Sequence, residues 1–145
     1  MKATSLLLLA LCFFSTEARS QSPFDGTWTI DTGKNENLAS EKPRVLSVAD
    51  GVFRESDRQI KADGSDQKVP ATGYWDTVSV RIVDDRTVEI ISKKAGKPMF
   101  TETDTVSADG NTLTQVMKDT TEAEAVTFES VFRRIAPAPP GAHVL

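Results

Sequence analysis

The chain reads as an all-β domain, and three observations predict it. Apolar and polar residues alternate at period two through its middle. Asp-Gly pairs recur between the alternating stretches. No segment past the N-terminus carries a helical apolar period long enough to cover a sheet. Val78, Val80 and Ile82 alternate with Thr77, Ser79 and Arg81. Asp84-Asp85-Arg86 then turns the chain into Val88, Ile90 and Ile91, a hairpin with one half-buried face.

The elements follow in order. Lys2 precedes an unbroken apolar run from Leu6 to Phe14, and Ala18 and Ser20 supply small residues two apart. That is the pattern of a signal peptide over residues 1–20, cut before Gln21. The run is shorter than the roughly 20 apolar residues a spanning helix needs, so no integral membrane span is expected. Cys12 is the only cysteine and leaves with that segment. Export without disulfides suits a bacterial periplasm. Residues 21–135 are then one domain, and Pro137-Ala138-Pro139-Pro140-Gly141 ends regular structure, leaving residues 136–145 as a flexible tail.

Within the domain, Gly26 to Ile30 reads as the first strand, and Lys34 to Ser40 as one or two helical turns. Asp50-Gly51, Asp63-Gly64 and Asp109-Gly110 each sit between strand-like stretches and supply the backbone freedom of tight turns. Lys94-Ala95-Gly96-Lys97 is a further turn, and a Thr-rich strand from Met99 to Val106 follows it. On that strand Thr101, Thr103 and Thr105 share one face, and Glu102, Asp104 and Val106 the other. Thr120 to Ala125 reads as a helical turn or wide loop before the last strand, Val126 to Ile135. The product is an antiparallel up-and-down barrel of about eight or nine strands, since closure removes exposed edges. A two-sheet sandwich is the rival.

Charge excludes some functions. There are 17 Lys+Arg and 21 Asp+Glu, a formal net charge of −4. The densest basic groups, Lys93-Lys94 and Arg133-Arg134, are short and carry no interleaved aromatics, so no nucleic-acid partner is expected. His143, the only histidine, lies beyond Pro139-Pro140. Zinc and copper are therefore poorly supplied, and no metal or cofactor is expected. No serine lies in a nucleophile motif with a histidine to serve it. Asp63, Ser65 and Asp66 crowd one turn, and Asp84 and Asp85 another, without a calcium-loop pattern. Glu102 and Asp104 are carboxylates about 7 Å apart along one strand face, a spacing that suits paired-acid chemistry but is commoner on a solvated face. No catalytic residue is assigned.

The two ends of the domain carry a resemblance. Phe24-Asp25-Gly26-Thr27-Trp28 resembles the Gly-x-Trp opening of the calycin superfamily, the lipocalins and fatty-acid-binding proteins. The resemblance implies that Trp28 plugs one barrel end, with Gly26 allowing close approach, and that Arg133 or Arg134 from the last strand lies over its ring. Such a guanidinium–indole stack is favourable by about 0.5–2 kcal/mol. The Arg-x-Tyr carboxylate site of fatty-acid-binding proteins is absent, because Phe132 precedes Arg133 and Ile135 follows Arg134. Residues 31–44 are too short for their two-helix lid, and the lipocalin Thr-Asp-Tyr loop and disulfides are missing. The chain also resembles small exported bacterial proteins without assigned activity, in its Phe-Asp-Gly-Thr-Trp start and in Asp-Thr-Val-Ser-Val and Val-Ser-Ala-Asp-Gly-Asn-Thr-Leu-Thr.

The resemblance implies a non-enzymatic, lipocalin-like binding protein for an apolar or amphipathic small molecule, monomeric or weakly dimeric. Phe53, Tyr74, Trp75 and Phe100 are the large side chains available to line its interior. Arg54, Arg58 or Arg81 would meet a ligand carboxylate if turned inward, with Arg81 expected in the ligand-binding set. The competing expectation is an envelope interaction module with a filled core. An enzyme would instead require a carboxylate inside the barrel with a raised pKa.

Overall fold

The computed structural model describes residues 21–35, 42–70 and 73–137. The expected signal peptide, most of the helical turn at 34–40 and the tail beyond Pro137 lie outside the described residues. Ten antiparallel strands are present among them: β1 (Gly26–Ile30), β2 (Arg44–Ala49), β3 (Val52–Glu55), β4 (Arg58–Lys61), β5 (Gln67–Lys68), β6 (Thr77–Asp84), β7 (Thr87–Lys94), β8 (Lys97–Val106), β9 (Thr112–Asp119) and β10 (Val126–Pro137). They form one sheet in the order β4-β3-β2-β1-β10-β9-β8-β7-β6-β5.

The first strand pairs with the last, and the sheet curls until its edges meet. Gly64 N–H donates to Val80 O at 2.8 Å, and Asp63 bridges Arg81. Between those edges the Gln67 amide stands in for backbone, donating to Lys61 O at 2.9 Å and accepting from Lys61 N–H at 3.0 Å. The result is a nearly closed barrel, not a sandwich. The count exceeds the expected eight or nine because β4 and β5 are short seam strands of four and two residues, too brief for a periodic signal.

The turn chemistry explains the sharp reversals. Asp50 and Gly51 have φ of 53° and 71°, and Ala95 and Gly96 have 49° and 78°. Two consecutive positive φ values match the twist of the strands they join. The Thr120–Ala125 stretch forms bends without helix, and β10 continues past the expected Ile135 to Pro137.

Register fixes which side chains enter. Across β7, β8 and β9, Val88 faces Asp104 and Gln115, and Ile90 faces Glu102 and Met117. Across β1, β2 and β3, Trp28 faces Arg44 and Leu46 faces Glu55. At one end the interior is filled by Phe24, Trp28, Leu46, Val80, Val88, Val106, Leu113 and Phe132, all almost wholly buried. Burying such side chains is worth about 1.5–3 kcal/mol each.

Candidate functional site

The closed end is built around Trp28, which has no exposed surface. Its indole N–H donates to Phe24 O at 3.0 Å. The Arg134 guanidinium lies over the ring, 4.4 Å from the centroid. Its Nε donates to Gly110 O at 2.7 Å, its Nη2 to Pro23 O at 2.5 Å and its Nη1 to Asp25 O. One side chain thus ties the N-terminal lead-in, the β8–β9 turn and the last strand together. A β-bulge sets Arg134 opposite Trp28, while Arg133 faces Thr29 and is exposed. Gly26 leaves room for this arrangement: a Cβ there would lie 2.6 Å from Arg134 Nη1 and 3.0 Å from Ala136 O. Asp25 completes the end, its carboxylate accepting from Ser22 N–H at 2.8 Å and Val48 N–H at 3.0 Å.

The other end holds a cavity of about 450 Å³, lined by Arg44, Glu55, Arg58, Tyr74, Trp75, Ile90, Ser92, Phe100, Glu102 and Met117. That volume lies within the range of small-molecule sites. Its upper wall is aromatic. Trp75 meets Phe100 edge-on at 5.8 Å, and Tyr74, 68% exposed, stands 6.4 Å from Trp75 at the rim. A larger depression of about 1210 Å³ lies among loops at the closed end, bordered by Pro23, Asp85 and Ser107. It is more open to solvent, and beside the charged Asp84, Asp85 and Arg86 its described lining holds a single aromatic residue, Phe24.

The cavity floor is charged. Arg44 Nη1 donates to Glu55 Oε1 at 3.3 Å, and Arg58 Nη2 donates to Glu55 Oε2, so both oxygens of that carboxylate are engaged. Arg44 also donates from Nη2 to Gln115 Oε1 at 3.3 Å and lies over Phe132, 4.1 Å from the centroid. The Gln115 Nε2 amide donates to Glu102 Oε1 at 2.8 Å and to Asp104 Oδ1 at 3.3 Å. Asp104 is buried beneath the cavity between Val88 and Gln115.

Removal from water raises the pKa of both acids. Burial is the main cause for Glu102, with the nearby Glu55 charge adding to it and Arg44 opposing. Asp104 is held well above the ordinary carboxylate range, chiefly by burial and next by the charge of Glu102. The solvated face expected for this pair is therefore corrected. The period-two pattern put both acids on one face with Val106, and closure turned that face inward.

The structure sorts the other expected residues. Tyr74, Trp75 and Phe100 meet at the cavity mouth, and Phe53 is packed in the core beside Val48 and Ile60. Arg81 lies on the outer face, where its Nη2 donates to Glu89 Oε1 at 3.0 Å. Period-two alternation places it opposite the inward Val80, so it is removed from the inward-facing set. Arg58 lines the cavity with its side chain half exposed. Arg54 shares the outer register with Ser47, yet its Nε and Nη1 are buried without a hydrogen-bond partner among the described residues. The sequence reading did not single out Arg44, Glu55, Gln115, Ile90, Ser92 or Met117. Parity from Trp28 and Phe53 would have found Glu55, but the pairing of Trp28 with Arg44 depends on register across a loop.

Fold and site together define a nearly closed antiparallel β-barrel of calycin type, plugged at one end and hollow at the other. No known family model matches the chain, and no curated protein is similar to it in sequence, so the likeness rests on architecture. Among the described residues, no group of three His, Cys, Asp or Glu side chains is placed to hold a metal, and no helix is long and apolar enough to cross a membrane.

Proposed function

We propose that this protein is an exported, lipocalin-like binding protein that holds an amphipathic small molecule in the open end of its barrel without transforming it. One observation carries the reading. A cavity of about 450 Å³ has aromatic and apolar walls of Trp75, Phe100, Ile90 and Met117 above a floor of Arg44, Glu55 and Glu102. Apolar walls with a few convergent polar groups are the usual make-up of a small-molecule site. The N-terminal pattern of Lys2, Leu6 to Phe14 and Ala18-Arg19-Ser20 supports action outside the cytoplasm, in a bacterial periplasm.

The test is native mass spectrometry of protein purified without denaturation, paired with titration of octan-1-ol followed by tryptophan fluorescence. Trp75 is the responsive indole, because Trp28 is sealed. The expected result is a bound small molecule or a saturable octanol response, lost when Ile90→Trp fills the cavity. A bare mass together with no saturable response overturns the reading. It would favour instead an interaction module, for which Val83 and Ile135 are among the exposed apolar residues.

A further inference from the structure

We propose that the polar end of the ligand is an organic cation, an alkylammonium or similar group, seated against Glu102 beneath the aromatic rim. The inference rests on the small-molecule reading above and specifies the chemistry of that same cavity. Among the described residues, three carboxyls line the cavity or lie buried beneath it (Glu55, Glu102 and Asp104), against two guanidiniums, Arg44 and Arg58. The two arginines converge on one carboxylate, Glu55, and engage both its oxygens.

An anionic head group would have to compete with Glu55 for guanidiniums that are already paired. It would also sit beside Glu102, where like charges repel. Glu102 has a different shell. Its hydrogen bond comes from Gln115, a neutral amide shared with Asp104. The remaining neighbours in register, Ile90 from β7 and Met117 from β9, carry no charge. A cation would therefore supply the charge that this side of the cavity lacks.

The aromatic rim completes the fit. Trp75, Phe100 and Tyr74 line the same cavity, and aromatic quadrupoles attract cations while the ring bodies contact an alkyl chain. A partly dehydrated carboxylate at the floor and aromatic side chains above it recognise charge and shape together. A metal ion is the poorer occupant, since the acids do not form a group placed to hold one and a divalent ion such as calcium takes six or more oxygens.

Electrostatic linkage gives a consequence that an apolar site would lack. Burial and the charge of Glu55 favour protons on both acids, and the charge of Glu102 does so on Asp104; Arg44 opposes them on both, and Arg58 on Glu102. A bound cation does the work of the proton, so binding releases protons. Affinity then falls as the pH drops through the range in which Glu102 becomes neutral.

The experiment compares octylamine, octan-1-ol and octanoate by isothermal titration calorimetry on the purified protein. All three share one chain and differ in head-group charge. Octylammonium is expected to bind at least about ten-fold more tightly than octanol, and octanoate more weakly than either. Glu102→Gln should erase the preference for octylammonium over octanol. On the unaltered protein, octylammonium affinity should fall as the pH is lowered toward the ordinary glutamate value of 4.5 while octanol affinity holds, and its binding heat should differ between phosphate and Tris buffers.

Octanol or octanoate matching octylammonium would overturn the cation and leave the carrier reading standing. So would a pH-independent octylammonium affinity, a measurement that needs no variant. Saturable binding of none of the three would overturn both.

Discussion

The two ends of this barrel are made from the same strands and treat charge in opposite ways. At the closed end one guanidinium, Arg134, is spent on three backbone carbonyls and an indole face. At the open end two guanidiniums converge on one carboxylate, and two further acids share a single amide. The first arrangement satisfies nearly every group it buries. The second leaves a buried acid pair partly compensated, which costs stability. A site for a polar ligand must hold such groups ready, whereas a plug need only be filled. Substitutions at the closed end should therefore show in stability, and those at the open end in binding.

The largest expected effect is at the plug. Trp28→Ala should cost about 3–5 kcal/mol in urea unfolding, from lost burial and the cavity left behind. A smaller loss would mean that the closed end collapses around the gap. Arg134→Met should come next, at about 2–3 kcal/mol, because three partly buried carbonyls lose their donor. Arg133→Ala should stay within about 0.5 kcal/mol, and this pair of variants isolates the clasp. Gly26→Ala should cost about 1–3 kcal/mol through the clash with Arg134 and the Ala136 carbonyl.

The open end reverses the sign. Asp104→Asn should stabilise the protein at neutral pH, because the folded state no longer holds a carboxylate charge out of water there. The folded protein raises the pKa of this acid, so the folded state holds the proton more tightly than the unfolded chain. Native stability consequently falls as pH rises from the ordinary carboxylate value of 3.8 toward the raised one, and stays reduced above it. Thermal unfolding across that range should show this decline in the parent and a flatter profile in the Asn variant. The smallest effect on stability is expected at the rim: Tyr74→Ala should change it by less than about 0.5 kcal/mol while weakening any ligand held beneath it. Equal losses of stability and binding there would remove the contrast between the ends.

Much of this was legible because period-two patterning is local. The hairpin at Asp84 to Arg86, the turn at Ala95-Gly96 and the strand from Met99 to Val106 each announced themselves within a few residues. The plug was legible too, since Gly26, Trp28 and a terminal arginine are few and distinctive. Alternation from the apolar Phe132 even favours Arg134 over Arg133. The seam strands were not legible, because four- and two-residue strands have too few alternations to register. The acid pair was visible on one strand face, but a face by itself does not say whether it meets water or a barrel interior.

The sequence by itself determined the elements, the turns and the partition of each strand into two faces, because steric rules and alternation act over a handful of residues. Only the tertiary structure decided which face turned inward, which arginine met which carboxylate, and that Arg44, Glu55, Glu102 and Gln115 converge under an aromatic rim. Those outcomes depend on register between strands far apart in the chain and on curvature summed around ten strands. The same closure changes the dielectric around Glu102 and Asp104 and raises the pKa of both, Asp104 well above the ordinary carboxylate range.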